Sequence, residues 1–213
     1  MKKKLMIVAL SGLFLAACGG EATTDVEPDD TVVDEVVEIC TYSYDPAETV
    51  LTWTAFKLTE RAAVNGSFDE INVTANDGAG NMFEVLTGAT FDIPVSSLNS
   101  QDEVRDPKIK NSFFGVMGET ANITGEISSI DENGGSVSIT MNGITVSYDG
   151  EVKVSGEDIT FLTQIDLVDF DGQEAVDSLG VVCEAKHTGD DGVNKLWTEV
   201  DLAVKTTLVK ECK

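Results

Sequence analysis

Cys183 and His187 stand four residues apart, and a thiol and an imidazole at that spacing can pair as thiolate and imidazole or share a metal ion. The supporting cast is thin. His187 is the only histidine of the chain, and a closed zinc site needs about four ligands, so Glu184 and Asp190 would have to add oxygens. A turn that carries a cysteine and a histidine by coincidence is the commoner case. Asp169, Asp171, Asp190 and Asp191 raise calcium, but they lack EF-hand spacing and read as solvated loop carboxylates. No HExxH, GxSxG, P-loop or CxxC occurs. The chain is therefore not expected to be an enzyme, and no metal or catalytic cofactor is expected.

A second reactive cysteine lies near the N-terminus. Lys2, Lys3 and Lys4 precede an apolar run, Leu5 to Leu15, that ends in Leu15-Ala16-Ala17-Cys18. A basic start, a short apolar core and small residues before a cysteine fit a bacterial lipobox. The Cys18 thiol would take a diacylglycerol, and cleavage would leave it as the new N-terminus. Residues 1–17 are then a lipoprotein signal peptide. Residues 18–38 are a lipidated tether with eight acidic residues and no basic one, which self-repels and stays extended. Residues 39–213 form one domain. The protein is expected to be exported and membrane-anchored, at the outer membrane or on the periplasmic or cell-surface face, with Gly19 favouring the outer membrane. The formal charge of −24, more negative still without the three leader lysines, repels nucleic acid and anionic lipid headgroups.

The elements that could position a site are mostly strands. Short runs of Thr, Val, Ile and aromatics alternate with Gly, Asn and Asp. Strands are expected over Thr49–Leu58, Gly66–Val73, Asn81–Asp92, Ala121–Ile130, Ser136–Met141, Ile144–Val154, Asp158–Leu167 and Val193–Leu208. Ile159, Phe161, Thr163, Ile165 and Leu167 share one face; Val200, Leu202, Val204, Thr206 and Leu208 share another. Asn133-Gly134-Gly135, Asn142-Gly143 and Ser155-Gly156-Glu157-Asp158 read as hairpin turns. The segment Leu98 to Gly118, with Pro107, breaks the β rhythm, and Asp171 to Leu179 reads as a short helix. The fold expected is all-β, an antiparallel barrel of about eight strands with short helical excursions, with a two-sheet sandwich as the alternative. In a closed barrel the first and last strands are neighbours. Cys40, before the first, and Cys212, after the last, can therefore pair in a disulfide worth roughly 3–5 kcal/mol, leaving Cys183 free. Inward aromatics either fill such a barrel or line a ligand cavity, and pattern alone fits both.

The order of motifs resembles the YceI-like family of bacterial exported proteins. Leu51-Thr52-Trp53-Thr54-Ala55-Phe56-Lys57 is followed by Val64-Asn65-Gly66-Ser67-Phe68, like the family's Trp strand and V-x-G-x-F element. Phe91-Asp92-Ile93-Pro94-Val95-Ser96-Ser97-Leu98, then Arg105-Asp106-Pro107 and Phe113-Phe114, look like the family's next strand, Arg-Asp element and double phenylalanine. The likeness covers roughly residues 44–209 and is densest from 49 to 127. It departs at Thr59-Glu60-Arg61, where the family often has a histidine, and at Gly115-Val116-Met117-Gly118-Glu119 after the double phenylalanine.

The resemblance implies a lipocalin-like barrel with a long pocket for a polyisoprenoid chain, such as an isoprenoid quinone or polyprenyl lipid, used in storage, transport or stress protection. Trp53, Phe56, Phe68, Phe91, Phe113, Phe114 and Phe161 are its expected apolar contacts, and Arg105, with Lys57, the expected partner of a head group. A salt bridge from Arg105 to Asp102 or Asp106 is the structural alternative, and the acidic surface favours a neutral, quinone-like head. The competing readings are a filled barrel that meets a protein partner, and a redox or metal protein built on Cys183 and His187.

Overall fold

The computed structural model describes residues 38–213, which form one compact unit, Glu38–Lys213. The expected signal peptide, Cys18 and nearly all of the expected tether lie outside the described residues. In chain order the first elements are β1 (Cys40–Ser43), β2 (Thr49–Lys57), β3 (Ala62–Phe68), β4 (Asn72–Thr74), α1 (Met82–Leu86), β5 (Thr90–Pro94) and β6 (Leu98–Asn99). Next come α2 (Asp106–Ile109), which runs on into a π-type turn over Lys110–Phe114, and the long strands β7 (Asn122–Asp131), β8 (Gly134–Met141), β9 (Ile144–Ser155) and β10 (Asp158–Asp166). The helices α3 (Gln173–Val182) and α4 (Glu184–His187) precede β11 (Leu196–Thr207) and β12 (Val209–Cys212).

Ten of these strands make one antiparallel sheet in the order β4-β5-β7-β8-β9-β10-β11-β2-β3-β6. Eight of the ten are five residues or longer, which is the expected barrel. Its two ends are joined by the chain itself, because β5 passes through one 3₁₀ turn, Val95–Ser97, straight into β6. Thus residues 90–99 pair with β7 on one side and, further along, with β3 on the other. Between β3 and β5 the remaining seam is bridged by Asp69 N donating to Ser97 O at 2.9 Å and Ser97 Oγ donating to Glu70 O at 3.3 Å.

The alternation expected for β10 and β11 is the alternation observed: Ile159, Ile165, Val200 and Thr206 are buried, and each neighbours residues on the other face that remain more open. The first barrel strand, β2, pairs with the last long one, β11, with Trp53 opposite Leu202. Outside the barrel, β1 and β12 form a two-stranded ribbon in which Cys40 faces Cys212, and these two are disulfide-bonded across 172 residues. Cys183 is free and half-buried.

Three expected boundaries are corrected. Asn81–Asp92 is not one strand. Asn81 Oδ1 accepts from Phe83 N and Glu84 N, capping α1, and Asn76 Nδ2 donates to Glu84 O and Thr87 O at the helix's far end. Capping by two asparagines overrides a stretch whose Phe, Val, Leu and Thr read as β. Gly66–Val73 splits into the end of β3 and the short β4, with the hydrogen bonds of the seam between them. The last strand begins at Leu196 rather than Val193, because Val193 belongs to a turn in which Asp191 Oδ1 accepts from Val193 N.

Candidate functional site

Inside the barrel lie two apolar lobes with cavity volumes of about 160 and 150 Å³. A dry apolar cavity of about 150 Å³ is enough to hold a benzene-sized molecule. Phe68, Ile123, Met141, Ile165 and Leu202 line both lobes, so the two are adjoining compartments of one interior. The first lobe is walled by inward residues of β2, β5, β7, β8, β10 and β11, together with Tyr44 and, from α1, Leu86. The second is walled by β2 and β11 and roofed by α2, the π-type turn and α3, which contribute Ile109, Phe113, Phe114, Val176 and Leu179.

Room for these lobes comes from glycines opposite aromatics. Trp53 pairs across the sheet with Gly66, and a Cβ on Gly66 would overlap the indole ring. Phe91 stands in the same way over Gly125, and Phe161 reaches Gly150 on β9. Each ring therefore occupies space over a strand that a side chain at the glycine would fill. The helical roof is held by Phe113 and Phe114, whose rings meet edge to face at 4.8 Å.

Of the residues expected to contact a ligand, Trp53, Phe56, Phe68, Phe113 and Phe114 line the second lobe, and Phe68, Phe91 and Phe161 the first. Arg105 lines neither. Its Nε and Nη2 donate to the hydroxyl and carbonyl of buried Ser100, each at 2.8 Å, while the Ser100 hydroxyl and N–H both donate to Asp106 Oδ1. Arg105 thereby anchors the start of α2, and the expected salt bridge to Asp102 or Asp106 is replaced by this serine-centred knot. The Asp102 carboxyl accepts from the N–H groups of Arg105 and Val104, which hold it below the usual carboxylate range. Lys57 Nζ donates to Lys186 O at 3.2 Å.

At the rim of the second lobe Arg61, in the left-handed region at φ 58°, sets its guanidinium 4.4 Å from the ring centres of both Phe56 and Trp197. Lys195 Nζ lies 4.7 Å over the same indole, whose Nε1 donates to Leu58 O at 2.8 Å.

His187 is buried at 8% exposure, and its Nδ1 has no hydrogen-bond partner. Burial, then the charges of Lys57 and Lys108, push its pKa down to about 4, so the ring is neutral at pH 7. It does not form the imidazolium that a thiolate pair with Cys183 would need at neutral pH. Of the four loop carboxylates two have side-chain partners: Asp191 accepts from Thr59 Oγ1 at 2.7 Å, and Asp169 from Tyr148 OH at 2.8 Å. The Tyr148 phenol is held far above its ordinary value by burial and then by Asp169. Among the described residues the cluster of candidate metal ligands is Glu38, Cys40 and Cys212, whose two sulfurs are consumed in the disulfide.

Sequence reasoning missed Tyr44, Leu86, Ile109, Val176, Leu179, Leu196 and Trp197 as wall residues. For Val176 and Leu179 a signal was available in their three-residue spacing on an expected helix. For Tyr44 there was none, since it lies outside any strand.

The family model described as a YceI-like domain matches residues 42–208. Two Staphylococcus aureus proteins, UPF0312 protein SA2479 of strain N315 and UPF0312 protein SAV2687 of strain Mu50, are each 37% identical over 93 residues, 44% of this chain and 53% of theirs. The chain thus spans about half the length of the curated relatives it matches. Among solved structures, BcnA of Burkholderia cenocepacia superimposes with a TM-score of 0.52 at 14% identity, covering 79% of this chain and 99% of that one. A polyisoprenoid binding domain from Saccharophagus degradans, described as implicated in plant cell wall breakdown, gives 0.53 at 14% identity, covering 82% and 99%. At such identities these two show a shared fold.

Proposed function

The chain belongs to the YceI-like family, and from that premise we propose that its barrel binds one apolar lipid of the isoprenoid type, with the chain threaded through both lobes. The observation that carries this reading is the adjoining pair of lobes, walled almost wholly by aliphatic and aromatic side chains. Water gains little from such walls, whereas each buried Å² of apolar ligand contributes about 25 cal/mol. The structural likeness to a protein described as a polyisoprenoid binding domain supports the ligand class. An isoprenoid quinone fits the acidic surface better than a polyprenyl phosphate, since the net charge of −24 opposes a second anion. In this reading the protein is exported and anchored to a membrane through lipidated Cys18. The barrel then works beside the bilayer that supplies its ligand, in storage, transport or stress protection, and performs no chemistry on it.

The test is mass spectrometry of an organic extract of residues 19–213, secreted by the native host without the lipidated cysteine. A stoichiometric isoprenoid is the expected result. Repeated extraction of no lipid would overturn the proposal and leave a barrel that acts through its outer surface.

A further inference from the structure

The β1–β12 ribbon is lightly attached to the barrel beneath it. All four residues of β12 are exposed. That strand is held by its ladder to β1, by the Cys40–Cys212 bond, and by Lys210, whose Nζ lies 3.9 Å from Glu157 Oε1 and 5.8 Å from the Tyr42 ring centre. On β1, Tyr42 exchanges backbone hydrogen bonds of 2.9 and 3.1 Å with Ala79. Tyr42 and Tyr44 pack on an apolar cluster that includes Leu86, Ile130 and Ile159. Those three residues, with Tyr44 itself, are also wall of the first lobe. The ribbon and the residue after it therefore cover that end of the cavity. Cys40 is half-buried and Cys212 exposed, so an outside thiol can reach the bond. Exposed disulfides are the labile, regulatory class.

We propose that the ribbon is a lid on the first lobe, latched by the Cys40–Cys212 disulfide, and that a dithiol reductant unlatches it so that lipid can enter and leave. The proposal rests on the lipid-binding reading above and adds control to it. A thiolate of the reductant attacks Cys212 Sγ, breaks the S–S bond and releases Cys40 as a thiolate. The reductant's second thiol then displaces Cys212 from the mixed disulfide. The reductant departs as a cyclic disulfide, and its two electrons and two protons end on the two cysteines as thiols. A two-stranded ribbon without its crosslink is marginal in water. What then holds the lid is the Tyr42–Ala79 bridge and the packing of two tyrosines. The barrel wall does not depend on the latch. Its first strand β2 pairs with β11 from Thr49 opposite Thr206 onward, and the hydroxyls of those two threonines bond at 2.8 Å. Reduction therefore frees the cover and leaves the wall closed.

The experiment loads residues 19–213 with radiolabelled squalene, an isoprenoid hydrocarbon that a dithiol does not reduce, and times its release into phosphatidylcholine vesicles with and without dithiothreitol. Release is the step a lid controls, so reduction should speed it roughly 10-fold or more. C40S/C212S should release at the fast rate and ignore the dithiol. Cys183→Ser should respond as the wild type does. Trp53 and Trp197 line the second lobe, so their emission reports the barrel itself and should stay native throughout. Equal rates for oxidised and reduced wild type overturn the proposal alone. So does a dithiol response that persists in C40S/C212S or vanishes in C183S, because the effect then lies at another group. Faster release that comes with loss of native tryptophan emission also overturns it, since the whole barrel then opens. Protein that takes up no squalene in either redox state overturns the lipid-binding reading and the proposal with it.

Discussion

The two ends of the barrel are closed by different means. At one end the cover is the β1–β12 ribbon with α1, a small assembly of four-residue strands and a five-residue helix. A two-stranded ribbon is marginal by itself in water, and here a covalent bond holds it. At the other end the cover is α2, the π-type turn and α3, held by Phe113, Phe114, Val176 and Leu179 packing on the strands, with cations at the rim. The contrast teaches that a short cover with little apolar area needs a crosslink, whereas a helical cover that buries several large side chains does not.

The sharpest way to break this contrast is to remove the crosslink. In the loop-entropy account, closing a 172-residue loop contributes about 4–5 kcal/mol, so reduction or C40S/C212S should lower stability by that order in chemical denaturation. The two tryptophans of the chain both line the helical lobe. Their emission should therefore stay native in the reduced protein until global unfolding, while hydrogen exchange in β1 accelerates. Early loss of the tryptophan signal would show that the ends are not independent.

A pH experiment probes the helical end alone. His187 has a folded pKa of about 4 against an ordinary 6.5. The unfolded chain therefore takes up a proton below pH 6.5 that the folded chain refuses. Stability present above pH 6.5 drains away as the pH falls toward 4, by up to about 3 kcal/mol. His187→Gln should flatten the wild-type loss between pH 7 and 4.5 by about that amount, the carboxylates titrating alike in both proteins. Parallel curves for the two proteins would refute the buried neutral imidazole.

Smaller effects compare the lobes directly. Gly66→Ala drives a methyl into the Trp53 ring of the second lobe, and Gly125→Ala drives one into the Ser138 carbonyl oxygen and the Phe91 ring of the first; each should cost about 1–3 kcal/mol in urea midpoint measurements. Only G66A should shift tryptophan emission. Smallest of all, Arg61→Ala removes a guanidinium that is one-third exposed and shared between two rings and Glu199 at 3.6 Å. A loss of about 0.5–1 kcal/mol is expected, with a change in Trp197 fluorescence.

Much of the barrel was legible because period-two alternation is a local signal. The sets of β10 and β11, from Ile159 to Leu167 and from Val200 to Thr206, share one inward face as their pattern implied, and the structure makes that face cavity wall. The Cys40–Cys212 pair was legible from topology, since closing a barrel brings its first and last strands together. What escaped was decided by side chains acting at a distance in sequence. Asn76 satisfies carbonyls of α1 eight and eleven residues on, and turns an apparent strand into a helix. Arg105 carries a charge suited to a head group, yet Ser100 absorbs it five residues away. Tyr44 gains its place only because a bond to the far end of the chain fixes β1, which no window of local sequence contains.

The seam between β3 and β5 has a mechanical meaning. Around most of the barrel, widening would mean tearing a ladder five to nine residue pairs long. At the seam it means parting two residue pairs, Ser67 with Asn99 and Phe68 with Leu98, and the two bonds that Asp69 and Glu70 make with Ser97. Faster amide exchange at Asp69 than at Val64 would register the difference. The wall thus has one yielding joint: there the girth can widen for a thicker guest by parting two residue pairs and two bonds, while the longer ladders around the rest of the barrel stay intact.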